Sequence, residues 1–297
     1  MPYACIDIGS NTTRLLVAEV QDGQLRELMA QRAFTKIGRS ASKKGKVPRK
    51  KIEETAEVVA TQARLARELG ATEIVIVATA AIRDAPNRDE IAARLEERAG
   101  EEVKLLSGKE EARLSFVGAT KTLGAPVEGA VSVVDVGGGS TEIGVGTVAG
   151  GAEWSESFRI GSGFLADAYL ASDPPSVKEL HAVRQHVAGV FEGLDVPPSD
   201  RGVAVGGSAT SLRRLVGASL EHETLERAVR LLSTTERAEL AALFELDPER
   251  VRVLPAGILV FEEISDRMGM PLQIGKGGLR EGVILECIGE ETAVGQS

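Results

Sequence analysis

At 297 residues the chain exceeds the usual span of a single hydrophobic core, and 43% apolar with 27% charged residues is a globular composition that excludes a disordered chain. A net charge of −9 and a pI near 5.1 argue against DNA or RNA as a general partner. The lack of any run of about 18 apolar residues, a start that moves straight into a strand, and only two cysteines, Cys5 and Cys287, lead us to expect a cytoplasmic protein with no membrane segment, no disulfide framework and no cysteine metal site.

The first element is a β-branched strand around Cys5–Ile8 that carries Asp7 and runs into Gly9, Ser10, Asn11 and Thr12 before an alternating apolar strand returns through Leu15 and Val17. The same pattern recurs 128 residues later, where Val134-Asp135-Val136 leads into Gly137, Gly138, Gly139, Ser140 and Thr141, then Glu142 and Ile143. Each copy reads as strand, phosphate loop, strand. Such loops aim N–H groups and hydroxyls at an anion, and an Asp at the strand end suits a metal or its water. Two facing copies would form a phosphate cleft between two similar domains, which the sequence divides at 1–123 and 124–297.

Between Arg32 and Lys51 stand nine basic residues and no acidic one. That segment is either a solvated loop or a landing strip that attracts a polyanion by clustered charge. Ile52 to Leu69 spaces its apolar residues as an amphipathic helix stopping at Gly70, and Ile74–Ala78 reads as a buried strand. A helix over Asp89–Ala99 and a short strand at Val103–Leu106 follow, so the class is α/β with helices covering a sheet.

Ser107-Gly108-Lys109-Glu110 is a capping box, which gives Glu110 a structural task. Glu111, about 100° round the helix, is left to point into a cleft and is the better candidate for a general base. Further on, the strand Val203–Val205 enters Gly206, Gly207 and Ser208, a third glycine-rich junction suited to anions, before a helix expected from about Ser211. Gly282–Gly289 reads as an apolar helix that packs back toward the hinge or into a dimer interface. His181, His186 and His222, the only histidines, sit in polar surroundings and are expected at the surface.

Five segments, Asp7–Thr12, Thr79–Asn87, Ser107–Arg113, Asp135–Glu142 and Gly277–Gly282, resemble in order the signatures of the exopolyphosphatase and guanosine pentaphosphate phosphohydrolase (Ppx/GppA) family. The resemblance implies an actin-like ATPase (ASKHA) fold, with two RNase H-like domains and a central inter-domain cleft. It places the catalytic base at Glu111, Arg83 near the phosphates, and Asp135 with Glu142 as metal ligands. It places phosphate contacts at Asn11, Thr12, Gly138, Gly139, Ser140, Thr141, Gly207 and Ser208, the last where the family commonly has Thr. Magnesium is the implied cofactor, with manganese as the alternative, and a homodimer is favoured. The chain resembles a short, two-domain form of the family.

The implied reaction is hydrolytic release of terminal orthophosphate from inorganic polyphosphate. The alternatives are removal of the 5′-phosphate of guanosine pentaphosphate, pppGpp, or binding of polyphosphate or an alarmone without turnover. An actin-like sugar or acetate kinase is the remaining reading. Trp154, Tyr3 and Tyr169 are too scattered to nominate a base-stacking site, and the basic segment favours the polymer.

Overall fold

The computed structural model describes residues 1–39, 45–124 and 127–294, so Lys43 and Lys44 of the basic segment lie outside the described residues. The chain separates into two compact units, Met1–Thr122 with Gly277–Ser297, and Leu123–Lys276.

The first unit is built on a five-stranded sheet of β1 (Pro2–Ile8), β2 (Thr13–Gln21), β3 (Gln24–Ala33), β4 (Glu73–Ala78) and β5 (Val103–Leu105), in the order β3-β2-β1-β4-β5. β1 to β3 are antiparallel neighbours, while β4 and β5 join in parallel. Strand alternation sorts the side chains onto two faces. Ala4, Ile6 and Ile8 turn toward α1 (Arg49–Glu68), where Ile52, Ala56, Val59, Ala63 and Ala66 form the buried stripe. α2 (Ala80–Arg83) and α3 (Arg88–Ala99) follow β4, and Ile82, Ile91 and Leu95 join that same core.

Tyr3 and Cys5 turn the other way, against α4 (Gly108–Lys121) and a C-terminal helix, Leu279–Val294. This last helix differs from the division read in the sequence, which assigned everything after residue 123 to the second domain. Glycine explains the pairing. A Cβ at Gly118 would strike the Gly278 carbonyl, and one at Gly282 would strike the Leu114 carbonyl, so the two backbones meet closely where no side chain intervenes.

The second unit holds β6 (Ala130–Val136), β7 (Thr141–Thr147), β8 (Gly151–Phe158), β9 (Arg201–Val205), β10 (Ser219–Leu220) and β11 (Leu272–Ile274) in the order β10-β11-β9-β6-β7-β8. Its main core is helical on one face, made by α5 (Ser162–Tyr169), α6 (Val177–Val190), α7 (Gly206–Val216), α8 (His222–Thr234), α9 (Arg237–Leu243) and α10 (Pro248–Met268). Val134 and Val136 turn into this core, so Asp135 between them projects from the opposite face. The helix expected near Ser211 begins at Gly206, directly off β9, because the first two positions after the strand are glycines with no side chain to cap or block the turn. The C-terminal helix, α11 (Leu279–Val294), is longer at both ends than the Gly282–Gly289 stretch its apolar residues mark.

Candidate active site

The two repeated segments fold as the same object. In one, β1 and β2 pair Asp7 with Arg14 and Ile8 with Thr13, and the Gly9 N–H donates to the Thr12 carbonyl at 3.0 Å. In the other, β6 and β7 pair Asp135 with Glu142 and Val136 with Thr141, and the Gly137 N–H donates to the Ser140 carbonyl at 2.9 Å. Register therefore equates Asp7 with Asp135, while the position of Glu142 is held by Arg14 in the first copy. One hairpin ends in an acid and a base, the other in two acids.

In the first unit, burial pushes the Asp7 carboxyl up from its ordinary 3.8, and Arg14 and Arg280 pull it back toward ionisation while Glu281 opposes them. Arg14 also donates through Nε to the Thr12 hydroxyl at 3.2 Å. The loop is braced from behind: Lys36 N–H donates to the Asn11 carbonyl at 3.0 Å and Gly38 N–H to the Ser10 carbonyl at 2.9 Å. Lys36 adopts φ of 51°, a left-handed conformation costly for a residue with a side chain. The start of the basic segment is thus fastened to this loop.

Helix α4 opens with the capping box expected from its sequence. The Glu110 N–H donates to the Ser107 hydroxyl at 3.2 Å, and the Ser107 N–H donates to the Glu110 carboxylate at 2.8 Å. The bonds from Ser107, side chain and backbone, draw the Glu110 carboxyl below its ordinary range. Glu111 is the buried one, only 7% exposed, and its Oε2 lies 3.3 Å from Nη1 of Arg83. The same Nη1 donates to the Leu106 carbonyl at 2.8 Å, which fixes the arginine at the start of α4. Two residues 28 apart in sequence are thereby joined.

In the second unit, Asp135, Glu142 and Ser157 form a cross-strand row over β6, β7 and β8. Glu142 is 2% exposed, and the Ser157 hydroxyl donates to its Oε1 at 2.9 Å. Seven residues apart in sequence, the two carboxylates stand on one face because antiparallel partners project together. Among the described residues no three His, Cys, Asp or Glu side chains converge as a closed metal cage. An adjacent pair of hard oxygen donors nevertheless fits a cation that keeps most of its water and draws its other ligands from phosphate.

The three glycine-rich turns of this unit interlock. Gly161 packs so closely on Gly138 and Gly139 that a Cβ would lie 2.6 Å from their backbone. The Ser162 N–H and hydroxyl both donate to the Gly137 carbonyl, at 2.9 and 3.1 Å, and the hydroxyl also meets the Ser208 hydroxyl at 3.2 Å. Gly206 has φ of 80°, and a Cβ there would run into the Asp135 carboxylate. Of the hydroxyls singled out in the sequence, that of Thr141 donates to the Ile160 carbonyl at 2.6 Å and that of Ser208 faces Ser162, so both serve the turns themselves. Arg14, Ser157, Ser162 and Arg280 escaped the sequence reading. Only Arg280 lay within a recognised segment, whereas the others emerge through register or through contacts 15 or more residues away.

His181 and His222 are exposed as expected, but His186 is half-buried, its Nδ1 3.1 Å from the Tyr169 hydroxyl and its ring 6.0 Å from that of Phe164.

Two α/β units, each with a strand–turn–strand hairpin that carries an aspartate near the end of its first strand, define a protein of the actin-like ATPase fold. Solved structures agree: a Ppx/GppA family member of Aquifex aeolicus superposes with a TM-score of 0.82 at 28% identity, over 98% of both chains. An exopolyphosphatase from Cytophaga hutchinsonii shares the fold with a TM-score of 0.87 at 19% identity, over 98% of each chain. The chain belongs to the Ppx/GppA phosphatase family, whose sequence profile matches residues 16–291, and is a phosphoanhydride hydrolase. It is 30% identical to Exopolyphosphatase 2 of Mycobacterium tuberculosis over 96% of this chain and 98% of that protein, and 27% identical to Exopolyphosphatase 1 of the same species over 98% and 89%. Phosphatases of this family are in general dependent on divalent metals.

Proposed function

We propose that this protein is an exopolyphosphatase, releasing terminal orthophosphate from inorganic polyphosphate in the cytoplasm. The observation that carries the choice of a polymer is the fastening of Lys36 to the Asn11 carbonyl, which sets the start of a segment with nine basic residues directly behind a phosphate loop of an acidic protein. Clustered charge there raises the local concentration of a long polyanion.

Glu111 acts as general base, taking a proton from water as the water oxygen bonds to the terminal phosphorus and the bridging P–O bond breaks. Arg83 changes partner, leaving Glu111 for the phosphate oxygens. The amides of Asn11, Thr12, Gly138, Gly139, Ser140 and Thr141, with those of Gly207 and Ser208, hold the phosphate oxygens. Asp135 and Glu142 would hold magnesium, or manganese in its place, which when bound neutralises charge on the phosphate and on the departing chain. The test is orthophosphate release by purified protein with magnesium from long polyphosphate, tripolyphosphate, pppGpp and ATP. A kcat/KM that rises with polyphosphate length supports this reading, and tight binding without release refutes it.

The second reading, pppGpp as substrate, is favoured by one residue. Phe164 donates its N–H to the Gly138 carbonyl at 2.9 Å and is 42% exposed, with its ring beside that of His186. Tyr3 is buried and Trp154 packs on the core, but Phe164 offers a purine a surface for stacking.

A further inference from the structure

We propose that Arg250 is a positioning residue for hydrolysis, setting the third glycine-rich turn, Gly206–Ser208, in the shape in which its amides meet phosphate. This inference rests on the function proposed above. Arg250 lies in the first turn of α10, which Asp247 caps by accepting the Glu249 N–H at 2.8 Å. It is 6% exposed, deep for an arginine, so its charge is held in the interior beside the turn. A Cβ built on Gly207 would lie 2.7 Å from Nη2, 2.9 Å from Nη1 and 3.1 Å from Cζ. Both terminal nitrogens lie nearer than Cζ, so the guanidinium meets Gly207 with its nitrogen fork and aims its N–H groups at the turn. Glycine at 207 is what allows this approach.

The neighbouring Gly206 is occupied in the same way by the Asp135 carboxylate. A buried guanidinium and the candidate metal-binding carboxylate therefore pack on consecutive glycines, and with α-carbons about 3.8 Å apart the two charges stand within about 11 Å of each other. At that range in a buried setting, the positive charge attracts an anion to the turn. The Ser162 hydroxyl ties the following residue, Ser208, to the Gly137 carbonyl, so a shift of Gly207 is passed to the second phosphate loop. None of the five recognised segments contains Arg250.

The test replaces Arg250 by methionine and by lysine, and separately makes Gly207→Ala, which displaces the guanidinium without removing it. R250M is expected to lose about 10²-fold in kcat with a KM little changed. Added guanidinium ion should restore part of that loss, R250K should retain more activity than R250M, and G207A should reproduce the loss. R250M with kcat within threefold of the wild type, or a loss that guanidinium does not relieve, overturns the proposal. Should R250M fail to fold, R250K decides: wild-type kcat overturns, and a loss at unchanged melting temperature supports. A wild type that releases no phosphate refutes the proposed function instead. Calorimetry of orthophosphate binding then tests Arg250 alone, at least tenfold weakening by R250M supporting the role and unchanged binding overturning it.

Discussion

Arg83 and Glu111 meet at 3.3 Å, and the arginine reaches this position because its Nη1 is also held by the Leu106 carbonyl one residue before the Ser107 cap. The capping box consumes Glu110 and leaves Glu111 as the buried carboxylate of the pair, so neighbouring glutamates have separable roles. Glu111→Gln should lower kcat by about 10² to 10⁴ with KM within a few-fold, as loss of a general base does. Glu110→Ala should instead lower stability by about 1 kcal/mol, with kcat retained. Paired thermal melts and steady-state kinetics check both, and equal losses of kcat in the two variants would contradict the assignment.

The pairing of α4 with α11 makes a second prediction, on stability. Gly282→Ala drives a methyl group into the Leu114 carbonyl, and neither backbone can retreat without disturbing Leu279, Val283 and Ile284 in the core below. Overpacking of this kind costs about 1 to 3 kcal/mol. Urea unfolding should show the midpoint falling, whereas Gly289→Ala, which meets nothing within 4 Å, should leave it in place.

That helix also marks where sequence reading stops. The two hairpins, the helix after the basic segment and the capping box are local, and each was legible from periodicity or from residues a few positions apart. Glu111 was separable from Glu110 on the cap alone. The docking of α11 depends on contacts between Gly118 and residues 160 or more positions later, for which a single sequence holds no signal beyond glycine itself. Arg14 and Ser157 are similar cases: their places follow from strand register, which pairs Arg14 with Asp7 and Ser157 with Glu142. Phe164 looks like any core residue until its exposure is known.

The pH dependence of stability has a clear source at the start of α6. Burial works against ionisation of Glu179, but hydrogen bonds from Ser176, Ser172 and Ala171 prevail and hold its carboxyl down at about 2. With the folded value depressed below the ordinary 4.5, this contribution is complete above the unfolded value and is lost as pH falls from 4.5 toward 2. Glu179→Gln should therefore cost about 1 kcal/mol at pH 7, a figure limited by solvent at this partly exposed site, and almost nothing at pH 2. Melting curves of both proteins across that interval measure the convergence.

Phe164 separates the two substrate readings. If a base stacks on its ring, Phe164→Ala should raise KM for pppGpp by about tenfold, corresponding to about 1 to 1.5 kcal/mol of aromatic contact, and leave tripolyphosphate unchanged. Equal KM values for pppGpp before and after the substitution would remove the only structural support for a nucleotide substrate.

The basic segment yields the sharpest test of polymer specificity, since charge held outside the reacting centre matters only to a substrate long enough to reach it. Lys43, Lys44 and Lys46 stand within four positions of one another, following Lys36, whose backbone N–H is bonded to the Asn11 carbonyl. Replacing all three by alanine should raise KM for long polyphosphate by roughly tenfold while leaving tripolyphosphate within twofold, because a short substrate satisfies the loops without touching the lysines. The difference should shrink at about 1 M salt, where the screening length falls to about 3 Å. A common rise for both substrates would place these lysines at the loops themselves, and no rise for either would return the segment to an ordinary solvated stretch.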